Sequence, residues 1–444
     1  MTYDLVVIGA GPAGLAGAVA AAGAGRSVAL LDRDGRPGGQ FYRHAADGRP
    51  ARGQHGWRTF LRLRALCVDR GVRLLTGHQV FAVEAGPPHV VHVEGDDRLR
   101  ADAVLIATGA YDRQIPFPGW DLPGVLAAGG AQALVKGHRV LPGRRIVVAG
   151  TGPFLLPVAA GLATAGAQVV GVFEANNPLR FARFPGLLAR HPDKLVEAAG
   201  YLAILARHRV PLHTKHSVVA AHGTDELVAV TVAGAGVERR IDCDTLAVGY
   251  GFTPQVDLGL AFGCATRLSG DGGLVLAVDD RQATSVPGVF AAGEVTGVGG
   301  ARLAVVTGTL AGLAAAGVVG RPRLRRERAR QMAFAAALPS VYPIPDWAGG
   351  LAGDTVVCRC EEVRLDAIRT AVTELGARDA RAVKLLTRAG MGWCQGRVCG
   401  EPVASVVANL TGVRPDATAL AAMTRRTLTQ PIRLGELADT EENG

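Results

Sequence analysis

Aromatic side chains are scarce: Phe, Trp and Tyr make up 5% of the 444 residues, too few to build the base-stacking platforms of a nucleic-acid binder. Lysine is scarcer still. Lys136, Lys194, Lys215 and Lys384 stand against 44 arginines spread along the chain, so the net charge of +9 reads as a compositional bias and not as a phosphate-binding face. No nucleic-acid partner is expected. The seven cysteines are odd in number and four fall in the last ninety residues, which excludes a disulfide framework. Apart from residues 5–25, no stretch reaches membrane length without charge. That first run lacks a preceding Lys or Arg, follows Asp4, and is interrupted by Gly9, Gly11 and Gly14, so it reads as strand, turn and helix and not as a span or leader. A cytoplasmic protein without a membrane span is the expectation. No Ser-His-Asp order or carboxylate pair stands out, and the eleven histidines follow no ligand spacing, so the chemistry is expected to belong to cofactors.

What is present is glycine, 60 residues of it without a repeat period, and a 48% hydrophobic content ample for several cores. The length predicts two or three domains. Residues 4–8 read as a buried parallel strand, 12–24 as a small-residue helix, and Val28–Leu31 as a second strand. A helix is expected at 57–70, with short strands near 72–75, 79–84, 89–94 and 102–106. The turn-rich segment Pro116–Gly124 marks a boundary, after which strand 145–149, helix 153–165 and strand 168–173 repeat the opening pattern. A long helix is expected from about residue 301. The fold class is therefore α/β, with two nested Rossmann-like dinucleotide-binding domains and a small helical C-terminal module. The predicted boundaries are 1–118 with 245–325 for the first domain, 119–244 for the second, 326–354 for a linker and 355–435 for the last module. The basic run at 321–330 reads as a solvated helix face or linker.

Gly9-Ala-Gly11-Pro12-Ala13-Gly14 follows a strand and opens a helix. The first glycine permits the turn, the second lets a pyrophosphate approach, and the third lets helix and strand pack closely. Asp32 ends the next strand, where an acid can accept from ribose hydroxyls. The second motif, Gly150-Thr-Gly152-Pro-Phe-Leu155, carries leucine at its third glycine position. Glu174 ends its second strand, an acid that favours NAD over NADP. Two readings of this unit stay open: an NAD(H) site, or a vestigial or otherwise occupied nucleotide domain. Cys358-Arg-Cys360 and Cys394-Gln-Gly-Arg-Val-Cys399 supply four thiolates. A [2Fe–2S] cluster, a structural zinc and an empty or disulfide-paired site are the three readings. Cys67, Cys243 and Cys264 lie singly in apolar contexts and read as core.

Ala107-Thr108-Gly109 after a strand, and Gly293-Glu294 after another, complete a pattern that resembles the two-dinucleotide-domain flavoproteins of the glutathione reductase type. The resemblance implies FAD, with Thr108 and Gly109 beside the flavin nucleotide and Gly293 and Glu294 at its flavin half; Glu294 departs from the usual Asp. Gly38-Gly39-Gln40 matches the glycine loop of many members, and Arg33 and Val80 complete the implied FAD set. Disulfide reductases of this kind carry a redox cysteine pair, but residues 1–66 and 68–242 contain no cysteine, which excludes that activity. The C-x-C and C-x4-C pairs resemble the bacterioferritin-associated ferredoxin domain, placing C-x-C at a helix start. The strings 107–137, 148–159 and 293–312 with the cysteine motifs resemble one subgroup, which holds components of hydrogen cyanide synthase, opine oxidases and dye-linked proline and hydroxyproline dehydrogenases. Membership implies an FAD and [2Fe–2S] electron-transfer subunit of a hetero-oligomer. Its implied partners are an FAD-containing catalytic subunit similar to D-amino-acid oxidase and a small [2Fe–2S] ferredoxin-like subunit. A self-contained NADH:acceptor reductase is the alternative.

Overall fold

The computed structural model describes residues 2–95, 97–318, 321–435 and 437–438. The first unit runs β1 (Thr2–Ile8), α1 (Pro12–Ala22), β2 (Val28–Asp32), α2 (Trp57–Asp69), β3 (Arg73–Thr76), β4 (Val80–Glu84), β5 (His89–Val93) and β6 (Asp97–Ile106). Its sheet order is β3-β2-β1-β6-β5-β4. The β1, β2, β3 and β6 pairings are parallel, as buried apolar strands joined by helical crossovers require. On its edge away from β1, the long β6 serves two further partners: its first half pairs antiparallel with β5, its last residues parallel with a late strand, 289–291.

The chain then passes through β7 (Ala110–Asp112), β8 (Val125–Ala127), α3 (Ala128–His138), β9 (Arg145–Gly150), α4 (Leu155–Thr164), β10 (Gln168–Glu174), α5 (Pro185–Arg190), α6 (Pro192–Arg207) and β11 (Leu212–Thr214). An antiparallel meander, β12 (His216–His222), β13 (Ala229–Gly234) and β14 (Val237–Asp242), precedes β15 (Thr245–Gly249). The second sheet is all parallel in the order β11-β10-β9-β15-β8. Because β15 pairs with β9 and β8, the return to the first unit falls later than residue 245. The crossing is the antiparallel ribbon of β7 with β16 (Phe252–Pro254), where both connecting strands lie side by side.

After it come α7 (Asp257–Ala261), the hairpin β17 (Thr266–Leu268) and β18 (Leu274–Leu276), β19 (Val289–Ala291), α8 (Gly300–Ala315) and α9 (Pro322–Val341). Most of the expected linker is thus helical: α9 carries the basic run on a largely exposed N-terminal half. Helices α8 and α1 touch backbone to backbone. A Cβ on Gly308 would lie 2.0 Å from the Ala13 carbonyl oxygen, and one on Gly312 2.1 Å from that of Gly17. The last module comprises the ribbon β20 (Val356–Cys358) and β21 (Val363–Arg364) with helices α10 (Leu365–Thr373), α11 (Ala380–Thr387), α12 (Gly400–Thr411) and α13 (Ala417–Thr424). Its core residues Val357, Ile368, Val383 and Val403 are fully buried and continuous with the apolar cluster behind the first sheet. The segment expected as a mere boundary docks here, for Trp120 donates its indole N–H to the Val356 carbonyl at 2.6 Å. No described helix is long and apolar enough to cross a membrane.

Candidate functional site

A connected cavity of about 3040 Å³ runs between the two nucleotide units. Every residue expected at a nucleotide site lines it except Gly14, Gly38 and Gly150. Those three are packing positions. A Cβ on Gly14 would sit 1.7 Å from the Gly9 carbonyl oxygen, one on Gly38 3.0 Å from Tyr42 Cβ, and one on Gly150 1.8 Å from the Gly249 carbonyl oxygen. Gly9 turns the chain at φ +104°, in the left-handed region that favours glycine. Gly11 behaves oppositely. A Cβ there would meet no described atom nearer than Gly39 Cα at 3.9 Å, so the space above Gly11 is a cradle free of protein. Gly9 thus turns the chain and Gly14 lets α1 pack on the turn, while Gly11 leaves open space at the N-terminus of α1 of the kind a pyrophosphate would need.

Asp32 is buried at the end of β2. One carboxylate oxygen accepts the Ala10 N–H at 2.7 Å and the other the Asp34 N–H at 2.9 Å. Burial nevertheless pushes its carboxyl up from the usual range. A carboxylate has about four lone-pair sites, so two remain for ribose hydroxyls. Across the cavity, Gly293 packs against Ala13 and donates its N–H to Thr307 Oγ1 at 3.0 Å. Burial pushes the Glu294 carboxyl up to about 7, with the Asp112 charge adding to the effect. Asp112 itself, raised by burial, accepts the Gly129 N–H at 3.0 Å. Thr108 donates its hydroxyl to the Gln255 carbonyl at 2.9 Å, tying the expected flavin-side strand end to the returning chain.

The second unit repeats the first with a difference. Glu174 is buried, raised by desolvation, and accepts from Gly152 N–H at 2.8 Å, Asn176 N–H at 2.8 Å and Thr151 Oγ1 at 3.1 Å. Gly152 has open space where a Cβ would be. Helix α1 starts directly after Gly11, whereas α4 starts at Leu155, three residues after Gly152, with Pro153 between. Leu155 is buried in the core behind the sheet, which keeps the helix end away from the turn. The N–H groups at the start of α1, directly after Gly11, therefore have no counterpart directly after Gly152. The chain after α9 also crosses this mouth: Asn176 Nδ2 donates to the Pro343 carbonyl at 2.9 Å, and Phe181 meets Tyr342 edge-on at 5.8 Å.

The four late cysteines come together. Cys358 ends β20, Cys360 lies in the turn after it, Cys394 lies in the loop after α11, and Cys399 immediately precedes α12. Their thiols contact one another in the chain Cys358, Cys399, Cys394, Cys360. The Cys399 thiol, shared between Cys358 and Cys394, holds both of these below the usual thiol range while its own proton is held more tightly. Among the described residues no group of three or more His, Cys, Asp or Glu is laid out to hold a metal ion. The contacts identify which four sulfurs belong together, and a soft all-sulfur donor set suits iron–sulfur chemistry. Gly392 of the loop is required by closeness, since a Cβ there would lie 2.4 Å from Cys360 Cβ, whereas Gly390 and Gly396 turn the chain at φ +86° and +79°. The C-x-C pair sits on a strand and turn, not at a helix start as expected; the helix N-terminus belongs to Cys399. Cys67, Cys243 and Cys264 are buried singly, and burial pushes their thiols up, Cys67 to about 11 and Cys243 to about 12.

Sequence reasoning missed the ties between cavity and cluster module. Arg113, 6% exposed, forms ion pairs with Asp271 at 2.9 Å and with Glu401 at 2.8 Å. Glu401 lies in the first turn of α12, two residues after Cys399, and also accepts from Thr253 Oγ1 at 3.1 Å in the crossing ribbon. Asp257 pairs with Arg397 at 3.4 Å and with Arg426. Lys136, which lines the cavity, was missed too; burial lowers it to about 8. The only sequence signal for Glu401 was its nearness to a ligand cysteine.

Two nucleotide units with an open cavity between them and a module of four gathered thiols point to a flavin oxidoreductase with an iron–sulfur centre. The chain belongs to the pyridine nucleotide-disulphide oxidoreductase family, matched over residues 3–317, and residues 356–409 match the BFD-like [2Fe-2S] binding domain. It contains FAD and [2Fe–2S] as cofactors. It is 34% identical to an opine oxidase subunit of Agrobacterium tumefaciens (strain Ach5), over 98% of this chain and 91% of that protein. It is 35% identical to hydrogen cyanide synthase subunit HcnB of Pseudomonas aeruginosa (strain PAO1), over 90% of this chain and 91% of the relative. Among solved structures, L-proline dehydrogenase from P. horikoshii shares the fold at a TM-score of 0.71 and 21% identity, covering 98% of this chain and 79% of that one.

Proposed function

We propose that this chain is the electron-transfer subunit of a hetero-oligomeric dehydrogenase that oxidises an amino acid, an imino acid of the proline or hydroxyproline type, or an opine. Held in this cavity, FAD would supply a two-electron acceptor, and a [2Fe–2S] cluster on the late cysteines would supply a one-electron exit. The observation that carries the reading is a flavin cradle and a four-sulfur module joined through Arg113 and Glu401, with no cysteine pair among the described residues of the cavity wall. In this reading Gly9, Gly11, Pro12, Ala13, Gly14, Asp32 and Arg33 hold the ADP half of FAD, together with Gly39, Gln40 and Val80. Ala107, Thr108, Gly109, Gly293 and Glu294 hold the remainder. Cys358, Cys360, Cys394 and Cys399 hold the cluster. The catalytic pocket belongs to a partner with its own FAD, similar to D-amino-acid oxidase, and a small ferredoxin-like [2Fe–2S] protein completes the assembly. The opine oxidase relative and HcnB are both named as subunits, which supports a multi-chain arrangement here.

A second reading, a self-contained NADH:acceptor reductase, draws support from open space at Gly152 and from Glu174. Anaerobic titration with NADH, followed by visible absorption, separates the two. An unchanged spectrum with both cofactors present supports the first reading. Bleaching of flavin and cluster bands that is lost on Glu174→Ala overturns it.

A further inference from the structure

Cys358 and Cys399 are buried but Cys360 is exposed, so the cluster site opens to solvent on its Cys360 side. Trp393, next in sequence to Cys394, is 82% exposed, and the Gly392 before it packs directly on Cys360. A tryptophan left in water beside a ligating sulfur marks an interaction surface, since so much apolar ring is seldom displayed without a partner to cover it. A stripe continues from this rim. Arg388 pairs with Glu361 at 2.8 Å, and Leu385, Lys384 and Arg381 lie three, four and seven residues before it, on one face of α11 and its C-cap. Arg381 and Leu385 are exposed. Arg359, adjacent to Cys360, is exposed as well and lies 5.0 Å over the Trp120 ring. On the acidic side, Glu361 is already engaged by Arg388, which leaves exposed Glu362 and exposed Asp379, whose side chain caps α11 by accepting the Ala382 N–H. The surface therefore combines two exposed apolar side chains, Trp393 and Leu385, with the basic Arg359, Arg381, Lys384 and Arg388.

We propose that this face is the docking site for an acidic one-electron carrier protein, an inference that rests on the electron-transfer role above. The basic groups select an acidic partner and speed its encounter, while the two apolar side chains are covered on contact. A [2Fe–2S] cluster exchanges single electrons, so the partner is a one-electron carrier. When it docks, the cluster is oxidised by one electron and the carrier reduced by one, with no bond made or broken. The Cys360 edge is where the sulfur ligands come closest to the partner.

The test uses the purified full chain with both cofactors and, as probe, a reduced acidic [2Fe–2S] ferredoxin, which reports docking whichever way electrons flow physiologically. Stopped-flow absorption follows reduction of the oxidised cluster. The bimolecular rate is expected to fall about 10-fold or more as ionic strength rises from about 20 to 500 mM. The double variant Arg381→Glu/Lys384→Glu lowers the low-salt rate at least about 10-fold, and Trp393→Ala lowers it with its salt dependence intact. Reduction by dithionite and the cluster's electron paramagnetic resonance signal stay unchanged in the variants. A salt-independent wild-type rate overturns the proposal. So do wild-type rates in the double variant, a preference for a basic cytochrome as carrier, or a self-associated wild-type chain that the double variant turns monomeric. Failure of the underlying role looks different: photoreduction of the flavin would then never develop the cluster signal, in the wild type and variants alike.

Discussion

Gly11→Ala and Gly14→Ala are the same chemical change three residues apart, and the structure assigns them opposite consequences. At Gly11 the backbone is extended (φ −75°, ψ −172°), a conformation alanine adopts without strain, and its methyl would meet nothing nearer than 3.9 Å. The flavin-free protein should therefore keep its stability, or gain about 0.4–1 kcal/mol through reduced freedom of the unfolded chain. The methyl fills the cradle, however, and a pyrophosphate loses at least one charge-assisted N–H bond, costing about 1.5–3 kcal/mol. FAD should bind about 10- to 100-fold more weakly. At Gly14 the methyl would lie 1.7 Å from the Gly9 carbonyl oxygen and 3.3 Å from Val7 Cγ1. No rotamer moves a Cβ, so α1 must shift from β1, at a cost of about 1–3 kcal/mol or more even without ligand. Calorimetry of the deflavinated proteins and fluorescence titration with FAD separate the two effects. Iron content, measured on the same samples, should match the wild type in Gly11→Ala. Wild-type FAD affinity in Gly11→Ala would refute the placement of the pyrophosphate. Equal destabilisation of both deflavinated variants would refute the assignment of Gly11 as a ligand-facing position.

The same geometry sets three further outcomes. Cys394→Ser and Cys399→Ser should abolish the cluster's visible and paramagnetic signals while flavin content is retained, and Cys67→Ser should leave both; cluster signals surviving in Cys394→Ser would exclude that ligand. Glu294 titrates at about 7 in the folded chain against 4.5 unfolded, so between pH 4.5 and 7 the folded state binds more protons. The stability of the deflavinated protein should thus decline as pH rises through that window, by about 3 kcal/mol from this group, and level off above it. Glu294→Gln should flatten the slope in thermal melts, and an unaltered slope would show that another group causes it. Arg113→Met leaves Asp271 and Glu401 unpaired and should destabilise the protein by about 3 kcal/mol, measured by denaturant unfolding and largely insensitive to salt because the arginine is 6% exposed.

Much of this molecule could be read from local pattern. The strand, glycine turn and helix at 4–24, the acids Asp32 and Glu174, and the C-x-C and C-x4-C pairs are short-range signals set by backbone sterics and ligand spacing. They appear where the spacing put them: β1, α1, β9, β10 and α8 match their expected ranges within two or three residues. Other features were legible in form but not in meaning. Leucine at position 155 was visible, yet only the fold shows that it is a core side chain that delays α4 and withdraws the helix end from the second turn.

The remainder depended on which distant segments meet, and no local pattern encodes that. Residue 245 begins a strand, but which sheet it joins is decided by pairing with β9 and β8, so the boundary moved to the β7/β16 ribbon. Arg113, Asp271 and Glu401 lie far apart along the chain and become a buried ion network only when the cluster module packs against the crossing. The C-x-C pair could name its donors but not its setting on a strand and turn. The sequence by itself determined the cofactor-binding elements, because steric and ligand requirements act over a few residues. Tertiary structure alone decided how those elements are joined, because burial, ion pairing and domain contact are properties of residues brought together across the whole chain.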